Sequence, residues 1–198
     1  MIKLSLGIKL LYILSIIVSP FLAQAEKRSC GELFVPIMIR EIDAKSKSEV
    51  DLVVGRMRET LITVLGPERG AAIHDLEWLR QRLYWHLDST KTRAKVFLSE
   101  NAVGKITGHA IARLERSEDG QEFGFFSTIF VAPEHRKQGI ALALMHQVES
   151  WFRENNLYKI IYFTAKTNQR LITLFTQNGY QVNDADSEFV QLTKYITK

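Results

Sequence analysis

The sequence predicts one α+β domain built on a mixed sheet. Three observations carry this. Apolar residues alternate with polar ones over several short segments, the two-residue period of half-buried strands. Between them lie three longer segments with helical apolar spacing, 48–65, 73–87 and 138–156. One strand-like run, Lys159 to Ala165, is apolar almost throughout, as expected for a strand covered on both faces. Composition agrees: 198 residues, 46% hydrophobic and 24% charged, describe a globular chain and exclude collagen-like or wholly disordered ones. The length suits one core. No internal repeat and no linker follows residue 30.

The first 25 residues form a segment of a different kind. Lys3 and Lys9 precede an apolar run from Leu10 to Val18, Ser19-Pro20 breaks it, and Ala23-Gln24-Ala25 supplies small residues. A positive start, a short apolar stretch and a small-x-small site describe a secretory signal peptide, with cleavage expected after Ala25. The run is short for a bilayer span, which takes about 20 residues. Two expectations follow. A cleaved leader exports the domain of residues 26–198 to the periplasm or the exterior. An uncleaved one leaves it anchored to a membrane through residues 8–22. Cys30 is the single cysteine, which excludes an intrachain disulfide. Lys27-Arg28-Ser29 before it is not a lipoprotein context, so it reads as a free thiol.

The elements follow in order. Residues 33–43 form a first strand, irregular or at an edge because of Pro36. Ser48 caps a helix whose stripe is Val50, Val53, Val54, Met57, Leu61, Val64 and Leu65, and Gly66-Pro67 ends it. A second helix carries Ile73, Leu76, Leu79, Leu83 and Leu87, with Trp78, Tyr84 and Trp85 widening the stripe. Strands follow at 94–99, 105–116 and 122–131. The second of these has Ile106, Gly108, Ala110, Ala112 and Leu114 on one face, and Asp119-Gly120 marks a hairpin before the third. A long helix from 138 to 156 buries Ala141, Leu144, Met145, Val148, Trp151 and Phe152. After the strand 159–165 comes a helix from Asn168 to Asn178, stopped by Gly179. Strands at 180–183 and 189–195 close the domain.

The stretch from Ile129 to Leu142 carries chemistry. It is a strand end, a short loop and the start of the longest helix, with Arg136, Lys137, Gln138 and Gly139 at the helix entrance. A helix N-terminus offers unpaired N–H groups and the positive end of the dipole, a setting for phosphate. Gly139 removes a Cβ where an anion would approach the backbone. Two cations in a first turn oppose the dipole by about 0.3–1 kcal/mol each, so their presence favours a bound anion. The formal net charge is +4, and without residues 1–25 there are 24 basic against 22 acidic residues. That near-neutrality, and the lack of an aromatic–basic platform, disfavour a nucleic-acid binder. No Cys/His cluster has metal-ligand spacing.

Here the sequence resembles the GNAT superfamily of N-acetyltransferases. Arg136-Lys137-Gln138-Gly139-Ile140-Ala141 fits the family's Arg/Gln-x-x-Gly-x-Gly/Ala signature, after a strand ending in Val131-Ala132-Pro133. Asn168-Gln169-Arg170 opening a helix and Asn178-Gly179-Tyr180 closing it fit a second family feature. The likeness covers about residues 33–195. It implies a mostly antiparallel mixed sheet with helices on both faces, and acetyl-CoA as co-substrate without a metal. The strand Ile129, Phe130 and Val131 would splay from the strand 159–165. Pantetheine would pair with Ile129 and Val131, and the pyrophosphate would sit on the amides of Lys137, Gln138, Gly139, Ile140, Ala141 and Leu142. Ile129 N–H would polarise the thioester carbonyl, and Asn168 would contact pantetheine. The implied reaction is direct attack by a primary amine, small molecule or peptide, in a ternary complex.

The family's proton handlers do not fall into place. Phe125 and Ser127 stand where many relatives place a Glu or His base, Phe163 where others place a Glu, and Phe175 where many place a Tyr acid. His109, on the more polar face of its strand, Glu122 and a water held by Ser127 are the remaining candidates. His74, His86, Trp78, Tyr84 and Trp85 are candidates for an acceptor wall. The alternative function is a silent acyl-CoA-binding or interaction module of the same fold.

Overall fold

The structure is a computed structural model of the 198-residue chain, and it describes residues 37–196. The expected leader, Cys30, Pro36 and the front of the first strand lie outside the described residues. Among those described, no helix is long and apolar enough to cross a membrane.

Among the described residues seven strands form one sheet. They are β1 (Met38–Glu41), β2 (Ala94–Glu100), β3 (Ile106–Arg116), β4 (Glu122–Val131), β5 (Lys159–Ala165), β6 (Gln181–Asp184) and β7 (Phe189–Tyr195), in the spatial order β1-β2-β3-β4-β5-β7-β6. Every neighbouring pair is antiparallel except β4 and β5, which run parallel. The fold class is therefore as expected: mixed, mostly antiparallel, with helices on both faces.

Helices α1 (Lys47–Leu65), α2 (Pro67–Ala72) and α3 (Leu76–Leu87) lie on one face. They share a core with Val96, Leu98 and Ile111 of the sheet. The stripe read for α1 is buried: Val50, Val53, Val54, Met57 and Leu61 are at most 1% exposed. The cap is Ser46, not Ser48. Its Oγ accepts from Glu49 N at 3.4 Å, because three residues is the reach of a serine side chain to an orphan amide. Pro67 ends α1 and also opens α2, where its missing N–H costs nothing. The second helix starts at Leu76 rather than Ile73. Asp75 caps it through Trp78 N at 2.7 Å, and Leu76, as the first helical residue, is 50% exposed rather than buried. Ile106 also leaves its expected face. The β2–β3 register shifts at Ser99/Glu100, and Ile106 packs beneath the α1–α3 layer.

On the other face lies α4 (Ile140–Glu154), and α5 (Gln169–Gln177) follows β5. Leu144, Met145, Val148 and Phe152 of α4 are fully covered, in one core with Phe126, Ile129, Tyr162, Leu171 and Phe175. Gly124 makes this contact possible. A Cβ there would stand 2.7 Å from the Phe152 ring, so glycine lets α4 lie directly on the β4 backbone.

Candidate active site: a wedge between two parallel strands

The sheet opens at one place. β4 and β5 pair through Gly124 with Ile160, Phe125 with Ile161 and Phe126 with Tyr162, and no further. Beyond that point β4 follows β3 as far as Val131, while Phe163, Thr164 and Ala165 of β5 stay with β7. A wedge results, with Thr128–Val131 on one side and Phe163–Ala165 on the other.

Backbone alternation settles which groups face the wedge. Ala132 N donates to Thr107 O across the β3 edge. Successive residues of a strand point their peptide groups to opposite sides, so Phe130 faces β3, and Ile129 and Val131 face the wedge. One of those groups has a partner already: Arg136 Nε donates to Val131 O at 3.1 Å. The Arg136 side chain thus folds back against the strand instead of reaching outward.

Both helices that follow the parallel strands begin at the mouth of this wedge. After β4 a single turn of 3₁₀ helix, Pro133–His135, leads to Gly139, the N-cap of α4. The helix therefore starts at Ile140 rather than Gln138. The ladder opens with Ala143 N donating to Gly139 O, which leaves the amides of Ile140, Ala141 and Leu142 ahead of it. Lys137 (φ 63°) and Gly139 (φ 82°) both adopt left-handed backbone. For a lysine that conformation costs on the order of 1 kcal/mol, and alternating hands of this kind turn successive amides into one concavity. A Cβ on Gly139 would meet nothing nearer than the Ile37 Cδ1 methyl, at 4.0 Å, so the space above these amides is open.

The second helix, α5, has Asn168 as its N-cap residue. The Asn168 side chain makes no capping bond, and its Nδ2 donates to Thr164 Oγ1 at 3.0 Å. Arg170 in the first turn of α5 lies close enough to act on Arg136. Burial lowers the Arg136 pKa, Glu59 opposes that, and Arg170 adds to the lowering. In the sequence Arg170 reads only as part of a helix start, and the fold makes it a neighbour of Arg136. Its charge, on a helix opening that faces a second helix opening, was the available signal. Two guanidinium groups beside two helix N-termini make this the anion-attracting corner of the fold.

The structure brings Ile129, Val131 and the run Arg136 to Leu142 together at the wedge, with Asn168 across the mouth. Phe130 differs, since its peptide faces β3 and its ring lies under Arg56 (5.1 Å) and beside His109 (5.6 Å). Its ring is part of the buried core.

The proton-handling candidates fare unevenly. His109 is 1% exposed, not on an open polar face, because α1 covers that side of β3. Burial first, and then the nearby Arg56 charge, push its pKa down to about 3, so it is a neutral core imidazole. Glu122 lies exposed at the far end of β4, paired with Arg116 at 2.9 Å. Phe175 is fully buried and stacked on Tyr162 at 4.5 Å, and Phe125 is 1% exposed. Ser127 accepts from Arg113 Nη1 at 2.6 Å. The five aromatics and histidines read on or beside the second helix do not form one wall, and His74 precedes the helix cap. His74 stacks on Trp78 at 3.6 Å, His86 is buried, and Tyr84 is 44% exposed. His135 is half-buried beside Glu134. Among the described residues no group of three His, Cys, Asp or Glu is placed to hold a metal ion.

Comparison with known proteins places the chain in a family. A family model described as "Acetyltransferase (GNAT) family" matches residues 60–180. N-alpha-acetyltransferase 20 of Dictyostelium discoideum is 33% identical over 86 residues, 43% of this chain and 49% of that protein, so the chain spans about half the length of this curated relative. The ribosomal-protein-alanine N-acetyltransferase of Brucella melitensis shares the fold with a TM-score of 0.63 at 17% identity, over 80% of this chain and 99% of that one. The PaiA N-acetyltransferase of Thermoplasma acidophilum, solved with coenzyme A, gives 0.61 at 14% identity over 81% and 99%. With the signature residues at the wedge and the family match spanning most of the domain, the chain belongs to the GNAT acetyltransferase family.

Proposed function

We propose that this chain transfers an acetyl group from acetyl-CoA to a primary amine, small molecule or peptide, by direct attack in a ternary complex. The observation that carries this is the wedge itself, where β4 and β5 part after Phe126 and Tyr162, with an open concavity of amides at its mouth. Pantetheine lies between the strands and takes the Ile129 peptide as a partner, with Val131 N–H beyond it. Val131 O is left to Arg136. The pyrophosphate rests on the amides from Lys137 to Leu142, with Arg136 and Arg170 supplying charge and Asn168 closing the mouth from α5. Ile129 N–H polarises the thioester carbonyl as negative charge develops on its oxygen. Relatives solved with coenzyme A support the ligand class.

The test is acetyl-CoA binding by calorimetry together with release of CoA thiol against a panel of primary amines. Saturable binding with turnover is expected, and no binding at millimolar acetyl-CoA overturns the reading. A second reading, a silent acyl-CoA-binding module, is favoured by Phe125, Phe163 and Phe175 at the positions where relatives handle protons. Tight binding without turnover on any amine would select it. For the N-terminal segment the proposal stays an export leader ending at Ala25, or else an anchor. Mass spectrometry of the first residue of the native protein, fraction by fraction, decides between them.

A further inference from the structure

Three features of the fold coincide at Ser127. It is the first residue of β4 beyond the last pair with β5, Phe126 with Tyr162, so it stands at the apex of the wedge. It is also the extra residue of a β-bulge. Thr128 pairs with Ile111 and Phe126 with Ala112, which leaves Ser127 between them without a partner in β3. Ser127 and Phe125, two residues apart, share one face of β4, and both lie against Arg113. Finally, Ser127 Oγ accepts a 2.6 Å hydrogen bond from Arg113 Nη1. Arg113 is held in turn: its side chain is 3% exposed, its Nε donates to Glu115 Oε1 at 2.5 Å, and it lies over the Phe125 ring at 4.4 Å.

Resting on the thioester position proposed above, we propose that Ser127 is the catalytic proton shuttle of this enzyme and that Arg113 is its positioning residue. Ser127 precedes Ile129 by two residues in β4, at the bulge and at the closed end of the wedge. With the pyrophosphate at the mouth, a thioester whose carbonyl oxygen meets Ile129 N–H has its acetyl end toward that apex, where the Ser127 hydroxyl stands. A guanidinium can only donate, so Arg113 takes one lone pair of Ser127 Oγ and leaves the other lone pair and the O–H hydrogen for the reactants. The amine nitrogen bonds to the carbonyl carbon and the carbon–sulfur bond breaks, with its electron pair going to sulfur. The amine proton passes to the free lone pair of Ser127 as the Ser127 hydrogen passes to sulfur. Products are the amide and CoA thiol, and Ser127 ends as it began. The shuttle needs neither a carboxylate base nor a phenol acid, which accounts for phenylalanine at positions 125, 163 and 175.

The experiment uses the full chain, acetyl-CoA and the amine panel. Ser127→Ala should lower kcat about 100-fold with acetyl-CoA affinity unchanged within about twofold. Ser127→Thr, which keeps the hydroxyl, should stay within about tenfold of wild type. The proton inventory in mixed H2O/D2O should be curved for wild type, with two protons in flight, and should lose that curvature in Ser127→Ala. Arg113→Lys should lower kcat but cost little in a Ser127→Ala background, because the two act as one unit. If the buried Arg113 variant does not fold, the serine pair decides alone. Binding of acetyl-CoA with Ser127→Ala keeping its kcat within twofold overturns the shuttle and leaves the cofactor assignment standing. So does binding without CoA release from any amine. Failure of wild type to bind acetyl-CoA overturns both.

Discussion

Replacing Gly139 with glutamate puts a carboxylate where the phosphate is expected, without a collision inside the protein. The nearest atom to the added Cβ is the Ile37 methyl at 4.0 Å, which is ordinary contact. The backbone at φ 82° is left-handed, which costs an L residue about 1–2 kcal/mol. A domain of this size should bear that and remain folded. The effect on binding is larger. A carboxylate about 4 Å from a phosphate repels it by roughly 4 kcal/mol at the effective dielectric of a protein surface and by about 1 kcal/mol in bulk water. Acetyl-CoA affinity should therefore fall between about fivefold and a thousandfold, with the larger losses at low salt. The matching control is Gly55→Glu. Gly55 lies in α1 with nothing within 4 Å of an added Cβ, so it adds the same charge on another element. Calorimetry with acetyl-CoA at two salt concentrations, with thermal melts of all three proteins, gives the answer. A folded Gly139→Glu protein whose dissociation constant matches that of wild type refutes the phosphate assignment.

Other outcomes follow from the same structure. Phe175→Tyr adds a hydroxyl inside a ring cluster that already buries the unpartnered Tyr162 hydroxyl, so a urea melt should show a loss of about 1–3 kcal/mol; a gain in turnover instead would place residue 175 in the wedge. His109 has a folded pKa of about 3, below its unfolded value near 6.5, so the unfolded chain binds the extra proton. Its contribution to stability is complete above pH 6.5 and is lost as pH falls from there toward 3. His109→Phe should flatten that part of the stability curve relative to wild type, and identical slopes would show that the imidazole is hydrated. Lys194 Nζ holds both oxygens of Glu149, which is 2% exposed, at 2.8 and 2.9 Å. Lys194→Met removes the nearest cation from that buried carboxylate, leaving Arg153 at 3.7 Å and the Tyr180 hydroxyl, and should cost about 3–5 kcal/mol by denaturant melt. A loss under 1 kcal/mol would mean that water reaches Glu149.

The helices and strands were legible because period and punctuation are local. Val50 to Leu61 and Leu144 to Phe152 could bury one face only as helices, and Gly179 and Asp119-Gly120 marked stops and turns through backbone chemistry alone. Errors fell where neighbours in sequence compete. Ser46 and Ser48 are both good caps, and the helix start is decided by which one reaches a free amide. Leu76 has the right spacing but sits before the helix is covered. His109 looked like a sheet-surface residue because its strand neighbours are polar, whereas α1, more than forty residues away, covers it.

The amide-lined helix entrance was readable for the same reason as the caps. Arg136 to Leu142 is a contiguous stretch whose amides, charges and glycine act on one another directly, so its chemistry is present in the string of residues. The wedge is not. Whether β4 and β5 stay paired depends on β3 and β7 drawing the two strands apart, and on a bulge that exists only against a partner strand. Arg113 and Ser127 lie fourteen residues apart in the chain and become a hydrogen-bonded pair through strand register alone. The residues determined by themselves where an anion would be welcome; the tertiary structure decided where the sheet opens and which hydroxyl stands at the opening, because both depend on contacts between segments that the chain keeps far apart.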